Sequence, residues 1–210
     1  SRLMAALSRR DLAAGDTASA AKWASMMGRM SSQSVQGSPL IGALVSSAIY
    51  AQSDQAFQRV VDSGELDPGL ARTMLDELDW ATASEDPFGF VTSIEIEGDL
   101  MRNQFARLID DLESGNDDEL RQVVGIGGGD LADLLAARGE DLGNVSTIMS
   151  EFYDATLEAA RDPDRARGLE TIESLENDLL ENSDSTLAQF LMPSFSRTLK
   201  ARIRVESLLA

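Results

Sequence analysis

Three features predict an all-α fold: apolar residues recurring every three or four positions, prolines placed behind capping residues, and almost no alternating apolar–polar runs. Typical helix lengths then divide the chain into roughly eight to ten helices, forming an irregular multi-helix bundle or a short α-α superhelix. Four of the five prolines follow Ser or Asp, at Ser38-Pro39, Asp67-Pro68, Asp86-Pro87 and Asp162-Pro163. Each pair reads as an N-cap followed by the first helical position. The capping oxygen accepts a free helix N–H, and proline has none to lose there.

Taken in order, residues 2–30 read as a helical hairpin turning at Gly15-Asp16, with Ala18, Ala20, Ala21 and Ala24 allowing close packing. After Pro39, Ile41, Leu44, Val45, Ala48 and Ile49 fall on one apolar stripe ending at Gln52, the expected core face of a helix. A separate helix, capped near Ser53 or Asp54, is expected to carry Ala56, Phe57, Val60 and Val61 and to stop at Gly64. Beyond Pro87, Ile94, Gly98, Met101, Phe105, Leu108 and Leu112 form the seam of a long helix. Gly98 on that seam would let a neighbouring helix approach closely. Val145, Ile148, Met149, Phe152, Thr156 and Leu157 mark the next helix, and Leu169, Ile172, Leu175 and Leu179 another. Leu191, Phe195, Leu199 and Ile203 mark the last.

With 210 residues and 43% hydrophobic content the chain can bury a sizeable core, so a single all-helical domain over 1–210 is expected, with possible sub-lobes at 1–84 and 85–210. The chain starts at Ser1 and stops at Ala210 inside an apparently helical run, which reads as a piece of something longer. Eighteen basic against 36 acidic residues give a net charge of −18, a field that repels phosphate backbones and anionic lipid. Neither nucleic acid nor direct membrane insertion is expected. The absence of Cys and His removes thiolate and imidazole metal sites, thiol nucleophiles and histidine relays, and no cofactor is expected.

Residues 12–27 (LAAGDTASAAKWASMM), 38–50 (SPLIGALVSSAIY) and 191–207 (LMPSFSRTLKARIRVES) resemble, in order along the chain, an uncharacterised all-helical family found in large planctomycete proteins. Members of that family look like envelope-anchored proteins that continue past the point where this chain stops. The resemblance therefore implies an extracytoplasmic, envelope-associated location, with the anchor outside this segment. It carries no activity or catalytic residues. The opening hairpin looks tetratricopeptide-like, although no 34-residue period recurs.

Several clusters are candidates for chemistry or contact. Trp23, Met26, Met27 and Met30 share a helical face that could serve as an adaptable groove, or simply as core. Asp110, Asp111, Glu113, Asn116, Asp117, Asp118 and Glu119 offer oxygen ligands without EF-hand spacing. The plainer reading ends one helix at Gly115 and starts the next at Asn116 with first-turn acids. Gly125, Gly127, Gly128 and Gly129 suggest a phosphate cradle, but Asp130 stands where a dinucleotide fingerprint needs glycine, so a capped turn is expected. Among Glu95, Glu97 and Asp99, helical geometry turns Glu95 and Asp99 toward solvent and leaves Glu97 beside the seam. Arg197, Lys200 and Arg204 line one face of the last helix as a dock for carboxylates.

These readings favour a non-catalytic helical scaffold or protein-interaction module, acting on a protein partner within a larger envelope-associated protein. The alternative is a carboxylate-dependent enzyme or divalent-cation-binding helical domain built on Glu97 or the acids between 110 and 119. A ferritin-like di-iron site is disfavoured, because its Glu-x-x-His pairs need histidine.

Overall fold

A computed structural model describes residues 1–34, 39–82, 85–114 and 141–207. Among the described residues there are nine helices and no strand. They are α1 (Arg2–Ala13), α2 (Thr17–Ser34), α3 (Leu40–Asp62), α4 (Pro68–Thr82), α5 (Phe90–Ser114), α6 (Leu142–Arg161), α7 (Arg165–Asn182), α8 (Thr186–Leu191) and α9 (Phe195–Glu206). The chain divides into two compact units, Ser1–Ser93 with Arg197–Ala210, and Ile94–Ser196. The expected boundary at 84/85 is thus displaced into α5. The helical segment 197–206 belongs with the N-terminal residues rather than with its immediate neighbours.

In the first unit α1 and α2 form the expected hairpin, closed by Gly15 at a positive φ of 79°. The core joins Ala20, Ala21, Ala24 and Met27 of α2 to Ile49, Ala56, Phe57 and Val60 of α3 and to Met74 of α4. Where α2 meets α3, the packing relies on small residues and hydroxyls. Ser31 Oγ donates to the Ser46 carbonyl at 2.8 Å, Ser46 Oγ donates to that of Ser31 at 3.0 Å, and Ser53 Oγ donates to that of Ala24 at 2.7 Å. Ser8 of α1 donates likewise to the Ala20 carbonyl at 3.0 Å. Small side chains let the backbones approach, and each hydroxyl is satisfied without a charged group.

This packing overturns two expectations. First, α3 is one helix from Leu40 to Asp62, and Ser53 is buried in its interior rather than capping a second helix. Its side chain bonds across to α2, so nothing competes locally with the helix. Second, the apolar stripe of α3 is split: Ile49 is buried in the core, but Ile41 is 69% exposed, Val45 46% and Leu44 37%, with Ala48 also exposed. Between Leu40 and Ser53 the buried face is Leu40, Ala43, Ser46, Ser47, Ile49, Tyr50 and Ser53. Periodicity identified the helix and the buried Ile49 but put Ile41, Leu44, Val45 and Ala48 on the wrong side, because close approach of α2 required small residues there.

In the second unit α6 and α7 are joined by a short turn. Gly98 sits where α5 meets α6, but a Cβ there would lie 3.4 Å from Tyr153 Cδ1, ordinary contact rather than the close approach that the seam suggested. Tyr153 stacks edge-on against Phe195 at 5.3 Å between centroids, and Phe152 lies 5.9 Å from the same ring. Four helix boundaries differ from those expected, the first being that of α3, which starts at Leu40 with Pro39 as its N-cap. The turn at Asp162 ends α6, and α7 is capped by Asp164, whose carboxylate accepts from Ala166 N and Arg167 N. The helix after Pro87 begins only at Phe90. The expected last helix is broken by Met192, Pro193 and Ser194 into α8 and α9, since proline cannot donate within a continuing helix.

Candidate functional site

The proposed Met-rich face is divided by its packing. Met27 is fully buried, whereas Met26 and Met30 are 38% and 39% exposed. Met26 borders a 230 Å³ cleft between α2 and α4, flanked by Lys22 and Arg29. Arg29 forms an ion pair with Glu77 across that cleft and holds its carboxyl below the usual carboxylate range. Trp23 is half-buried, and its Nε1 donates to Asp11 Oδ2 at 2.9 Å. Asp11 also accepts from Arg10 Nε at 2.7 Å. Trp23 therefore locks α1 to α2.

Glu95 and Glu97 are both half-buried and Asp99 is exposed, so helix geometry anticipated Glu97 and Asp99 but not Glu95. Glu95 pairs with Arg161 of α6, while Arg102 bridges Asp99 at 3.0 Å and Asp154 at 3.1 Å. Burial, reinforced by the nearby Glu97 charge, raises the Tyr153 hydroxyl far above its ordinary pKa. An anionic tyrosine is thus suppressed beside Glu97.

Asp111 and Glu113 fall in the last turns of α5, but their side chains lie outside the described residues. So do Asn116, Asp117, Asp118, Glu119 and the glycines from Gly125 to Gly129 with Asp130. Among the described residues no group of three acids is disposed to hold a metal ion. Arg197, Lys200 and Arg204 are all exposed on α9.

The decisive cation of α9 is one that sequence reasoning passed over. Arg202 is 1% exposed, with its guanidinium 5.6 Å from the centre of the Phe90 ring. Its Nη2 donates to the Glu85 carbonyl at 2.9 Å and its Nε to Glu206 at 2.5 Å, and Nη1 lies 3.6 Å from Asp86 Oδ1. Asp86 in turn accepts from Phe90 N, Val91 N and Thr92 N, at 2.8, 3.0 and 3.2 Å. Asp86 is therefore a cap acting across the Pro87-Phe88-Gly89 turn, rather than an adjacent one. Glu176, also buried, accepts from Ser196 N at 2.8 Å at the start of α9. The only sequence signal for Arg202 is its position on the apolar side of a short amphipathic helix.

These groups brace helix ends. Among the described residues of the first unit, packing leaves an aliphatic row exposed on α3, while Leu3 and Leu75 are exposed singly on α1 and α4. No family model, curated protein or solved structure matches the chain.

Proposed function

We propose that the chain is a non-catalytic helical scaffold that recruits a protein partner through the outward face of α3. The observation that carries this reading is the row of Ile41, Leu44, Val45 and Ala48 at i, i+3, i+4 and i+7, exposed on a helix whose other side is fully packed. Residues 30–53 contain no charged side chain, so a partner's apolar helix meets no desolvated charge along that face. Resemblance of three stretches to envelope-anchored planctomycete proteins supports placing the scaffold in a larger envelope-associated protein. No helix among the described residues is long and apolar enough to cross a membrane.

A photo-crosslinking residue at Val45, used in native envelope preparations, should capture one reproducible protein partner. The same probe combined with Ile41→Lys should lose that partner while the chain stays folded. Absence of a reproducible partner, or capture indifferent to Ile41→Lys, would refute the reading.

A further inference from the structure

The charge of the protein is segregated. Residues 94–196 hold 24 acidic and 7 basic residues, a net −17, whereas 1–93 with 197–210 hold 12 and 11, a net −1. Within the acidic unit, α6 and α7 flank a groove of about 510 Å³. Half-buried Ile148 and Ala155 of α6 and Leu175 of α7, over the buried Phe152 and Leu179, form its floor, and the exposed Glu151, Asp178 and Asp184 stand on its rim. On α6, Ile148, Glu151, Phe152 and Ala155 follow i, i+3, i+4, i+7, and on α7, Leu175, Asp178, Leu179 and Asn182 repeat that spacing. Two such stripes facing each other make a channel with a greasy base and anionic walls.

Among the described residues no cation is paired with the rim acids. Arg102 is engaged by Asp99 and Asp154, Arg161 by Glu95 and Arg167 by Asp162, while Arg165 donates to the Ala160 and Asp162 carbonyls. Among the described residues, Glu151, Asp178 and Asp184 have no ion pair; Asp178 accepts only from Asn182 Nδ2, at 2.6 Å. The base is preorganised, because the Phe152 ring packs on Phe195 and Tyr153 behind it. From Asn144 to Ala155 the lining spans roughly 17 Å at the helical rise, room for about three turns of a docked helix.

We propose that the α6–α7 groove binds a cationic amphipathic helix of a protein partner, its aliphatic stripe on the floor and its flanking Lys or Arg side chains against the three rim acids. This mode places methylenes on apolar surface and ammonium or guanidinium groups beside unneutralised carboxylates. It differs from the α3 interaction in surface, unit and chemistry, and stands whether or not α3 recruits a partner.

The test uses the 210-residue chain and a fluorescently labelled synthetic helix of four turns, with leucines on one stripe and lysines on either side. Anisotropy titration should show saturable binding. Glu151→Gln with Asp178→Asn and Asp184→Asn should weaken it at least tenfold, and Ile148→Ser should weaken it several-fold. A control set of equal charge change, Glu158→Gln with Glu170→Gln and Glu181→Gln, none of which lines the groove, should leave affinity within twofold. The proposal is overturned by equal loss from both triple variants, which would mean nonspecific attraction to the acidic unit. Equal binding of a scrambled peptide of the same composition, or no binding, also overturns it. Circular dichroism confirms that each variant retains its helices.

Discussion

At the scale of single residues, stability concentrates in polar groups that composition could not single out. Arg202 holds the Glu85 carbonyl, the Phe90 ring and two carboxylates from a fully buried position. Replacing it with Met keeps the stem but strands those acceptors; removing one partner of a buried pair costs ~3–5 kcal/mol, and Asp86 and Glu206 being about one-fifth exposed sets the lower end of that range. Urea unfolding of Arg202→Met should therefore show a loss near 3 kcal/mol, whereas exposed Arg204→Met should change little. Tyr50, packed edge-on against Phe88 at 5.2 Å, supplies an alkaline signature. Burial, with a smaller contribution from Asp54, pushes its hydroxyl from 10.0 up to about 12. The unfolded chain releases that proton first, so the stabilisation is complete below pH 10 and is lost as pH rises toward 12. Melting temperature measured across that interval should fall, and Tyr50→Phe should flatten the decline.

At the scale of helices, two glycines that look alike in sequence have opposite roles. A Cβ at Gly98 would meet Tyr153 and Arg102 at 3.4 Å, ordinary contact, so Gly98→Ala should gain part of the ~1 kcal/mol helix-propensity difference. A Cβ at Gly168 of α7 would lie 2.5 Å from the Ala159 carbonyl oxygen of α6. That backbone atom cannot rotate away, so Gly168→Ala should cost ~1–3 kcal/mol through forced displacement. Chemical denaturation of the two variants checks both signs. Gly98 was legible because it interrupts an otherwise apolar seam; Gly168 was not, because its neighbour comes from another helix. Helix α3 makes the same point on a larger surface. Its existence and its stop at Gly64 followed from spacing and a left-handed glycine, while its orientation depended on serine hydroxyls finding carbonyls on α2. Ile41→Lys with Val45→Lys should therefore alter stability by no more than ~0.5 kcal/mol each, the behaviour of surface sites. A core stripe would unfold.

At the scale of the molecule, the acid excess belongs almost entirely to residues 94–196. A net charge spread over the chain suggested only what it repels. Its confinement to one unit, together with an apolar groove there, turns repulsion of anions into selection for a cation. Salt should thus weaken peptide binding at the α6–α7 groove, since the Debye length shrinks from about 10 Å at 0.1 M to about 3 Å at 1 M. It should leave association through the uncharged α3 face unchanged or strengthened. Titrating both interactions against sodium chloride separates them in one set of measurements.

Heptad-like spacing, capping residues and the lack of Cys and His determined, with no structure, that the fold is helical and that thiol and imidazole chemistry is absent. These are local or compositional properties, fixed by neighbours along the chain. Which face of α3 is buried, that Arg202 rather than Arg197, Lys200 or Arg204 is the interior cation, and that Glu151 and Asp178 come to share one groove were decided only by tertiary packing. Each depends on which distant helix arrives alongside. A hydroxyl or carboxylate in the sequence does not reveal whether a carbonyl, a guanidinium or water will be waiting for it.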